Sequence, residues 1–598
     1  MTTLIPKFEQ TGSTTVNRPF NQKLQEIVSV KDFGAVGDGT TNDGAACQLA
    51  INSLTTGGIL YFPAGTYLIT EDTVLTVAVA NTHIEGKGAT LKISGAIAGS
   101  NANMISLNAN NTSINGLSFT SVTDTNVTAP TNGNAFSYKT KTTAIAIGAY
   151  TEVTVENTTL NGMNFGITTA SGATNIKIVD NTILAMGSGF TALTHPIGLL
   201  VQGNYMKDVG SMGGMQIYDP QNFTISDNYL FAAGATGINP GGSETTGLNL
   251  RTGVIANNVV WAQNPIAVEN GADSIIIDGN QCVVTEPVPN GSGIGVSAHD
   301  PASGLMREII ISNNVVRYAT EVGAAVQSVN YLYGIGIQVT REAGAVPPTA
   351  SDIVGISICD NQVYNATTAI TVGDSAVGYT IRGVTVSNNI TYRNVNSINI
   401  FNAADVICTG NYAVAFGATL QSGTTGIAID TCTSVVLDQN HTESFYNATY
   451  PGGHYSFKDS TVSLLNPNVT AAPGSTSGNM MTLSGTVNLT QISPGQGTDV
   501  GAATALPLPP MGNYFRVTGN TAITSMTPPG GASSRPYGMI VYLRFAGTPV
   551  LNQTSGNANE FKLAGSASIN PITAGTVMGF IYGTESNGQW NEISRVVP

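Results

Sequence analysis

Short runs of β-branched residues recur along the middle of the chain, and each run leads through a polar residue to an asparagine. Typical copies read "VTVENTTL", "FTISDNYL" and "VTVSNNITY". The shortest intervals between successive asparagines are 22 to 24 residues, and the others are longer. A short repeat with variable insertions predicts a solenoid, in which each coil buries its apolar residues against its neighbours. The asparagines of the repeat are Asn157, Asn181, Asn204, Asn228, Asn258, Asn280, Asn314, Asn361, Asn389, Asn411 and Asn440.

The residue types of the repeat decide between two solenoids. A leucine-rich repeat has a similar period, but its copies are dominated by leucine, whereas these contain Val, Ile and Asn. The pattern therefore predicts an all-β chain built on a right-handed parallel β-helix. Asparagine tolerates the left-handed conformation of a sharp bend, and amides stacked from coil to coil can form a hydrogen-bonded ladder.

A short helix is predicted before the first coil, within "VSVKDFGAVGDGTTNDGAACQLAINSL". Its apolar stripe would consist of Ala46, Leu49, Ala50 and Leu54, with Asn42 or Thr41 as the cap. The first coil of a solenoid has an exposed strand edge that invites aggregation. We expect the helix to cover that end, and "ILYFPAGTYLI" to begin the first coil.

Composition narrows the class of protein. The chain has 598 residues, of which only 10% are charged, and a net charge of −14. An acidic chain lacks the basic field of a nucleic-acid-binding protein. No secretory signal and no membrane span are predicted, because no apolar run approaches the required length. The sequence predicts no cofactor and no metal, and free buried thiols are expected at the five cysteines, Cys47, Cys282, Cys359, Cys408 and Cys432.

Both ends of the chain resemble known families. "VSVKDFGAVGDGTTND" followed by "GGILYFPAGTYLI" resembles the opening motif of the pectate-lyase-like β-helix superfamily. With the preceding "IPKFEQTGSTTVNRPFNQKLQE" it is similar, more narrowly, to bacteriophage tailspikes. Near the C-terminus, "GNYFRVTGNTAITSM" and "GTVMGFIYGTESNGQWNEISRV" resemble a small β module that closes many tail fibres and spikes.

The resemblance implies a homotrimeric protein of the virion tail that acts at the bacterial cell surface. Such a depolymerase binds and usually cleaves a bacterial surface polysaccharide, either capsule or O-antigen. The N-terminus would attach to the phage baseplate or tail, or to another tailspike. Neither nucleic-acid binding nor membrane insertion is expected.

Four segments follow from the repeat, the resemblance and the composition. Residues 1–27 are predicted to form the N-terminal adaptor, and residues 28–465 the cap and parallel β-helix. The Pro-, Gly- and Ser-rich residues 466–479 are predicted to be a linker. Residues 480–598 are expected to form a β-sandwich-like domain that clamps the trimer, with carbohydrate binding as the alternative role.

A second strand recurs in each coil, as in "GMQIYD", "GLNLRT", "PIAVEN" and "GIGVSA". Long insertions such as "GATGINPGGSETTG", "SAHDPASGLMRE" and "VTREAGAVPPTASD" surround these strands, and functional loops of a repeat protein tend to share one face. Because side chains alternate along a strand, two outward columns are predicted. The first column contains Gln216, Asn249, Ala267, Gly295 and Gly336, and the second contains Tyr218, Arg251, Glu269, Ser297 and Gln338.

Glycoside hydrolysis by this class of enzyme requires two carboxyl groups. Glu269 is our first candidate, because it faces outward above the small residues Ala267 and Gly295. Asp300 is the preferred partner, and Asp273 is the second choice. The predicted substrate-binding residues are Tyr218, Arg251, Asn249, His299, Arg307 and Trp261. Trp261 follows the bend on another strand, so packing in the core or at a subunit interface is the stronger alternative for it.

Other activities stay open at this point. A lyase acting on a uronic-acid polymer could use Tyr218, His299 or Arg251 for β-elimination. A non-enzymatic adhesin or structural fibre would bind in the same groove without cleavage, and a deacetylase would leave the chain length unchanged. The motifs of the polygalacturonase branch of the superfamily are absent from the sequence, so the catalytic residues of that branch cannot be assigned here.

Overall fold

The computed structural model describes most of the chain. Structure is given for residues 7–8, 18–19, 26–70, 74–94, 102–121, 142–184, 186–192, 195–207, 209, 213–241, 250–269, 271–285, 291–298, 306–318, 334–341, 353–373, 381–415, 424–445, 453–465, 468–470, 479–484, 488–492, 499–509, 513–528, 539–554, 557–583 and 588–598. The chain divides into two compact units. The first consists of Met1–Glu321 and Asn330–Ser357, and the second of Val322–Val329 and Ile358–Pro598.

Parallel strands stacked from coil to coil form three sheets, which confirms the predicted parallel β-helix. In the first unit, sheet 1 consists of Ile27–Ser29, Gly58–Tyr61, Thr82–Glu85, Thr112–Asn115, Thr151–Glu156, Thr174–Val179, Ile197–Gln202, Gln221–Ser226, Leu250–Ala256, Ala272–Asp278 and Met306–Ser312. The division between the units falls within the next strand of this sheet, Ile353–Cys359. In the second unit, sheet 1 consists of Ile381–Ser387, Ala403–Thr409, Thr433–Asp438, Thr461–Leu465 and Asn488–Ile492.

Two long strands, Tyr229–Gly241 and Val259–Glu269, belong to sheet 2 in their first part and to sheet 3 in their second. The other strands of sheet 2 are Asp38–Asn42, Gly65–Thr70, Ala89–Ser94, Ser118–Ser121, Thr159–Asn161, Thr182–Leu184, Tyr205–Lys207, Gln281–Val284 and Val315–Tyr318 in the first unit, and Gln362–Tyr364, Ile390–Tyr392, Tyr412–Val414, His441–Glu443 and Asn468–Thr470 in the second.

Sheet 3 follows sheet 2 in each coil. Its other strands are Leu75–Val77, Ala102–Leu107, Thr142–Ile147, Phe165–Thr169, Ser188–Ala192, Met215–Tyr218, Ser292–Ala298 and Ile335–Arg341 in the first unit, and Thr368–Val372, Asn396–Phe401, Thr425–Asp430, Gly453–Lys458 and Asn479–Ser484 in the second. Inward positions such as Ile217, Val268 and Val296 are fully buried, so alternation along each strand separates the core from the outer face.

Most of the predicted asparagines form a buried amide ladder at the bend between sheets 1 and 2. Asn258 is representative: its Nδ2 donates to the Oδ1 of Asn280 at 2.9 Å and to the carbonyl of Ile225 at 2.9 Å. Its own Oδ1 accepts from the backbone and the side chain of Asn228 at 3.0 and 2.9 Å. The Asn258 amide therefore satisfies backbone groups of the preceding coil, as buried polar groups require.

The predicted left-handed conformation belongs to the residue before the ladder asparagine, not to the asparagine itself. Asp180 has φ 54° ahead of Asn181, and Asp227 has φ 58° ahead of Asn228. The first copy differs again, because Asn157 is the left-handed residue and Thr158 takes the ladder position. The sequence pattern assigned both the left-handed conformation and the ladder hydrogen bonds to the asparagine, whereas two successive residues provide them in the structure.

The predicted helix is present as Gly44–Ser53, preceded by a 3-10 helix at Val30–Phe33. The predicted stripe is partly wrong, because Leu49 is 56% exposed while Cys47 and Ile51 are buried. No capping bond from the N-cap residue is present, although the side chain of Asn42 accepts from the backbone of Gly44 at 3.1 Å.

The helix covers the first strand of sheet 3, as expected. The side-chain amide of Gln48 accepts from the backbone N–H of Thr76 at 2.7 Å and donates to its carbonyl at 3.0 Å. Gln48 thereby replaces the missing strand partner of Leu75–Val77. This protects an edge that would otherwise offer unpaired backbone groups.

All five cysteines are free, as the sequence predicted, and four of them, Cys47, Cys282, Cys408 and Cys432, are buried, whereas Cys359 is partly exposed. Burial raises the pKa of Cys47 and Cys408 to about 12, so both stay protonated thiols at neutral pH. Among the described residues, no helix is long and apolar enough to cross a membrane.

Parallel coil pairing continues to Asn488–Ile492, past the boundary predicted at residue 465. Two sheets follow. One contains Val500–Gly501, Tyr514–Thr518, Ile540–Phe545, Val577–Tyr582, Trp590–Val596 and Phe561–Lys562, and the other pairs Ala505–Pro507 with Ser525–Thr527. One apolar core, including the fully buried Trp590, lies within this β domain. Near the N-terminus, Lys7–Phe8 pairs with Arg18–Pro19.

Candidate functional site

The edges of sheet 3 in the first unit are where the longest connections of the coils begin and end. Residues 242–249, 299–305 and 342–352 connect sheet 3 to sheet 1, and all three segments lie outside the described residues. Residues 286–290 reach sheet 3 from sheet 2 on its other edge. The outer face of sheet 3 lies between the strand ends at which these connections begin and end. Part of the predicted insertion "GATGINPGGSETTG" is itself strand, because pairing continues to Gly241.

Two outward rows cross this face from coil to coil. One runs through Gln216, Asn239, Ala267, Gly295 and Gln338, and the other through Tyr218, Gly241, Glu269, Ser297 and Thr340. The predicted columns are thus wrong at two coils. Arg251 begins a strand of sheet 1, so Asn239 and Gly241 take the places assigned to Asn249 and Arg251. Gln338, not Gly336, is in register with Gly295.

Glu269 lies at the edge of sheet 3, and its side chain is half-buried. Its Oε2 accepts a hydrogen bond from Asn239 Nδ2 at 3.2 Å, from the preceding coil. Gly241 is its register partner on that coil, so the surface between Glu269 and Tyr218 carries no side chain. Ser297 is the register partner on the following coil. The carboxylate is thus hydrogen-bonded beside a strip of small and polar residues.

Tyr218 lies two coils before Glu269 in the same row, roughly 10 Å away at the usual spacing of neighbouring strands. Its phenolic oxygen is within 2.5 Å of Gln216 Nε2, which donates a hydrogen bond to it. The ring is half-buried. A flat aromatic group with a fixed hydroxyl suits contact with a sugar ring.

A buried acid and a histidine follow sheet 3 at the same corner of the coil. Asp219 is fully buried, and its Oδ2 lies 3.5 Å from Nε2 of His195 on the preceding coil. Both residues adopt left-handed backbone conformations, with φ 49° at Asp219 and φ 63° at His195. Such conformations in residues other than glycine cost free energy and cluster at functional sites.

Asp219, His195 and Asn239 were not chosen as catalytic or substrate-binding residues from the sequence, although Asp219 is one of several acids that the sequence places on or next to this face. A signal for two of them was available, since "THP" and "YDP" place a polar residue before proline in consecutive coils. Asp300 in "HDP" repeats the same pattern. Asn239 could not be found this way, because the bulged pairing around Ala233 and Thr236 shifts the register that would reveal it.

Arg251, Asp273 and Arg307 lie together on sheet 1, in one row across three coils. The Arg307 guanidinium donates to Asp273 Oδ2 at 2.7 Å. This hydrogen bond is the main reason why the pKa of Asp273 lies below its usual range, and the charge of Arg251 lowers it further. Asp273 is thus held as a carboxylate, which does not suit the role of a general acid.

Of the remaining predicted residues, the structure describes only Trp261, which lies on another sheet. Trp261 is in register with Val283 on sheet 2, eight residues before Glu269 along the same long strand. Asn249, His299 and Asp300 lie outside the described residues. Within the described part of the chain, no group of three or more His, Cys, Asp or Glu side chains could hold a metal ion.

Comparison with known proteins agrees with this fold. Residues 27–259 match the family model described as "Rhamnogalacturonase A/epimerase, pectate lyase-like". The predicted resemblance to pectate-lyase-like β-helices is therefore confirmed for this segment. A curated relative, mannuronan C5-epimerase AlgE2 of Azotobacter vinelandii, is 45% identical over 67 residues. The match covers 10% of this chain and 7% of that enzyme, so the chain spans only a small part of its length.

Solved structures similar to this chain include phage and bacterial surface proteins. One is a mutant tailspike protein of the E. coli bacteriophage HK620 in complex with hexasaccharide, with a TM-score of 0.44 and 12% identity over 80% of this chain and 83% of that one. Another is PfbA, a surface adhesin of Streptococcus pneumoniae, with a TM-score of 0.34 and 17% identity over 77% of this chain and 93% of that one.

Proposed function

We propose that this chain is a phage tailspike that binds a bacterial capsule or O-antigen along the outer face of sheet 3 and hydrolyses its glycosidic bonds. The observation that carries the proposal is the outward row Tyr218–Gly241–Glu269, with the Glu269 carboxylate oriented by Asn239. Ala267 and Gly295 beside it leave room for a sugar chain. The pectate-lyase-like match and the likeness of both chain ends to tailspikes support the same function.

In the proposed reaction Glu269 protonates the glycosidic oxygen as the bond to the anomeric carbon breaks. As this bond breaks, a second carboxylate on the opposite side of the ring either deprotonates a water that attacks the anomeric carbon, or attacks that carbon itself to form an intermediate that water then hydrolyses. Asp300 is the preferred partner, because its chain segment begins one coil after Glu269. Asp273 is already ionised and is the second choice. Tyr218 binds an adjacent sugar, and Asn239 positions Glu269.

A lyase acting on a uronic-acid polymer is the second candidate. It is favoured by the positive charges of Arg251 and Arg307, which lie near the start of the sheet 1 strands that follow sheet 3. In that reaction a base removes the proton next to the sugar carboxylate, and the glycosidic oxygen leaves with formation of a carbon–carbon double bond. Tyr218 would be the base. An adhesin that binds without cleavage is the third candidate.

We further propose that the chain forms a homotrimer and joins the phage tail through its N-terminal segment, 1–27. An apolar row on the outer face of sheet 1 supports association with further copies. Within the first unit this row reads Leu200, Thr224, Val254, Ile276 and Ile310, so four of its five residues are apolar, and Ile276 and Ile310 are 38% and 39% exposed. Apolar stripes of this kind mark interaction surfaces.

The test is size-exclusion chromatography of purified capsules and O-antigens incubated with the protein, while ultraviolet absorbance is followed. Shortened chains without new absorbance support hydrolysis, and shortened chains with rising absorbance support the lyase. Glu269→Gln should lower the rate about 10²- to 10⁴-fold, as expected for loss of a general acid. Glu85→Gln is the matched control, since Glu85 accepts from Asn115 at 3.1 Å in the same way, on sheet 1. Equal rates for both variants would contradict the assignment of Glu269.

A further inference from the structure

A surface on sheet 2 of the first unit combines exposed aromatic rings with positive charge. We call it the aromatic platform: Tyr205, Tyr229, Phe231 and Trp261, with Lys207 and Arg317 at its two ends. Tyr205 and Tyr229 are 40% and 38% exposed, although large apolar side chains are usually covered. The platform is not part of the site around Glu269, because Trp261 pairs within sheet 2 and Glu269 within sheet 3.

The rings lie in two neighbouring rows that cross the coils. Tyr205 and Tyr229 are register partners on neighbouring coils, with ring centroids 5.4 Å apart and planes inclined by only 10°. Phe231 and Trp261 form the adjacent row, with centroids 5.4 Å apart and an angle of 44°. The exposed parts of Tyr205 and Tyr229 offer apolar surface that sugar rings can contact.

Positive charges lie in the same row as Phe231 and Trp261. Lys207 is the register partner of Phe231 on the preceding coil. Val283 is the register partner of Trp261 on the following coil, and Arg317 is that of Val283 one coil further on. The Arg317 guanidinium carbon lies 5.8 Å from the centre of the Trp261 ring, which is within cation–π range. The two cations are thus four coils apart, about 19 Å at the usual strand spacing.

No carboxylate lies in either row of the platform between these cations. The first row reads Tyr205, Tyr229, Val259 and Gln281, and the second reads Lys207, Phe231, Trp261, Val283 and Arg317. Asp208 directly follows Lys207 along the chain and lies outside the described residues. Asp227 belongs to the bend before sheet 2, where it accepts from Gln202. In a chain with a net charge of −14, such a strip favours an anionic ligand.

We propose that the aromatic platform is a second glycan-binding site, which holds an acidic segment of the polysaccharide outside the site of cleavage. Tyr205, Tyr229 and Trp261 contact the sugar faces, while Lys207 and Arg317 pair with the carboxylates of uronic or similarly acidic sugars. The inference rests on the proposed polysaccharide function but not on which bond is cleaved. A second contact with the same polymer raises its local concentration at sheet 3.

The experiment uses the full-length Glu269→Gln protein in affinity electrophoresis through gels that contain polygalacturonate, alginate, hyaluronan or neutral dextran. Intrinsic fluorescence provides a second readout, because Trp261 and the fully buried Trp590 are the two tryptophans of the chain. We expect retardation by at least one acidic polymer, a change in fluorescence, and weakening of both by salt, since exposed charges are screened. Dextran should cause no retardation.

Substitutions at the platform residues test whether this surface is the one that binds the acidic polymer. Trp261→Ala and Tyr229→Ala should each weaken binding about tenfold, as expected for the loss of one well-placed aromatic contact. Arg317→Ala should weaken binding to the acidic polymer and reduce its dependence on salt. Tyr150→Ala removes another exposed tyrosine, 37% exposed, and should leave binding unchanged.

Three results would overturn the proposal: no retardation by any of the acidic polymers, equal retardation of the Trp261→Ala and Tyr150→Ala variants, or a change in oligomeric mass on Trp261→Ala. The last would mean that the platform contacts another copy of the chain. The proposed function is tested independently of the platform. It is wrong if the unsubstituted protein shortens no capsule or O-antigen while the platform still binds acidic polymers. If cleavage occurs but the platform variants bind and cleave normally, only the second site is wrong.

Discussion

The carboxylate of Glu269 depends on one neighbouring amide for its orientation, because Asn239 donates to it from the preceding coil. Sequence alone suggested Glu269 from its outward position but assigned Asn249 and Arg251 to the coil that Asn239 and Gly241 occupy. The two candidate segments have similar apolar alternation, and only the irregular pairing near Ala233 decides between them. A periodic pattern cannot predict where a strand bulges.

Asn239→Ala should lower kcat of the cleaving enzyme about tenfold and leave KM nearly unchanged. A hydrogen bond to a charged group contributes about 1.5–3 kcal/mol, and part of this is recovered from water. Steady-state kinetics on the cleaved polysaccharide provide the measurement. Asn115→Ala is the control, since it deletes the equivalent bond to Glu85. A tenfold rise in KM with unchanged kcat would assign Asn239 to substrate binding.

The Arg307–Asp273 ion pair predicts a pH-dependent contribution to stability. The folded-state pKa of Asp273 is below its unfolded value, mainly through the hydrogen bond from Arg307. The pair therefore stabilises the protein above the unfolded pKa, about 3.9, and this contribution disappears as the pH falls through the folded value. Arg307→Ala should lower the melting temperature at pH 7 and change it much less near pH 2.

Circular dichroism melts at the two pH values test this prediction. Arg382→Ala is the control, because the Arg382–Asp405 pair is longer, at 3.9 Å, with both side chains more than half exposed. Its effect should be small at either pH. An equal loss of stability for Arg307→Ala at pH 7 and pH 2 would show that packing of the side chain, rather than the charge of Asp273, is responsible.

At the level of elements, the asparagine ladder was the most predictable feature, because a buried amide has to recur once per coil. The left-handed residue beside it was misplaced by one position, since Asn, Asp and Gly are all compatible with such a bend. The helix Gly44–Ser53 was also predicted, but its buried side was not, because short helices with alanine on several sides have no sharply defined apolar stripe.

Asn258→Ala should reduce the free energy of unfolding by about 3 kcal/mol. The substitution leaves the Asn228 backbone and amide donors and the Ile225 carbonyl without their buried partner. An unsatisfied buried polar group costs about 1–3 kcal/mol. Urea denaturation followed by circular dichroism measures the change. Gln281→Ala, at an exposed position of the next strand, should have little effect, and equal effects would mean that the ladder amides are not stabilising.

At the scale of the whole molecule, the apolar row on sheet 1 should decide the oligomeric state. Ile276→Asp with Ile310→Asp places two charges in this row and should convert the proposed trimer into monomers of 61.6 kDa. Multi-angle light scattering measures the mass directly. Thr154→Asp is the control, because Thr154 belongs to the same row two coils before Leu200, where the row is polar. An unchanged mass for the double variant would exclude this surface from the interface.

The central claim is that a polysaccharide binds across the outer face of sheet 3 beside Glu269. The most direct test is an experimental structure of the Glu269→Gln variant with an oligosaccharide of the polymer that the unsubstituted protein shortens. We expect sugar rings above Ala267 and Gly295, with a glycosidic oxygen within hydrogen-bonding distance of residue 269. Glycan bound elsewhere, with this face of sheet 3 empty, would contradict the account.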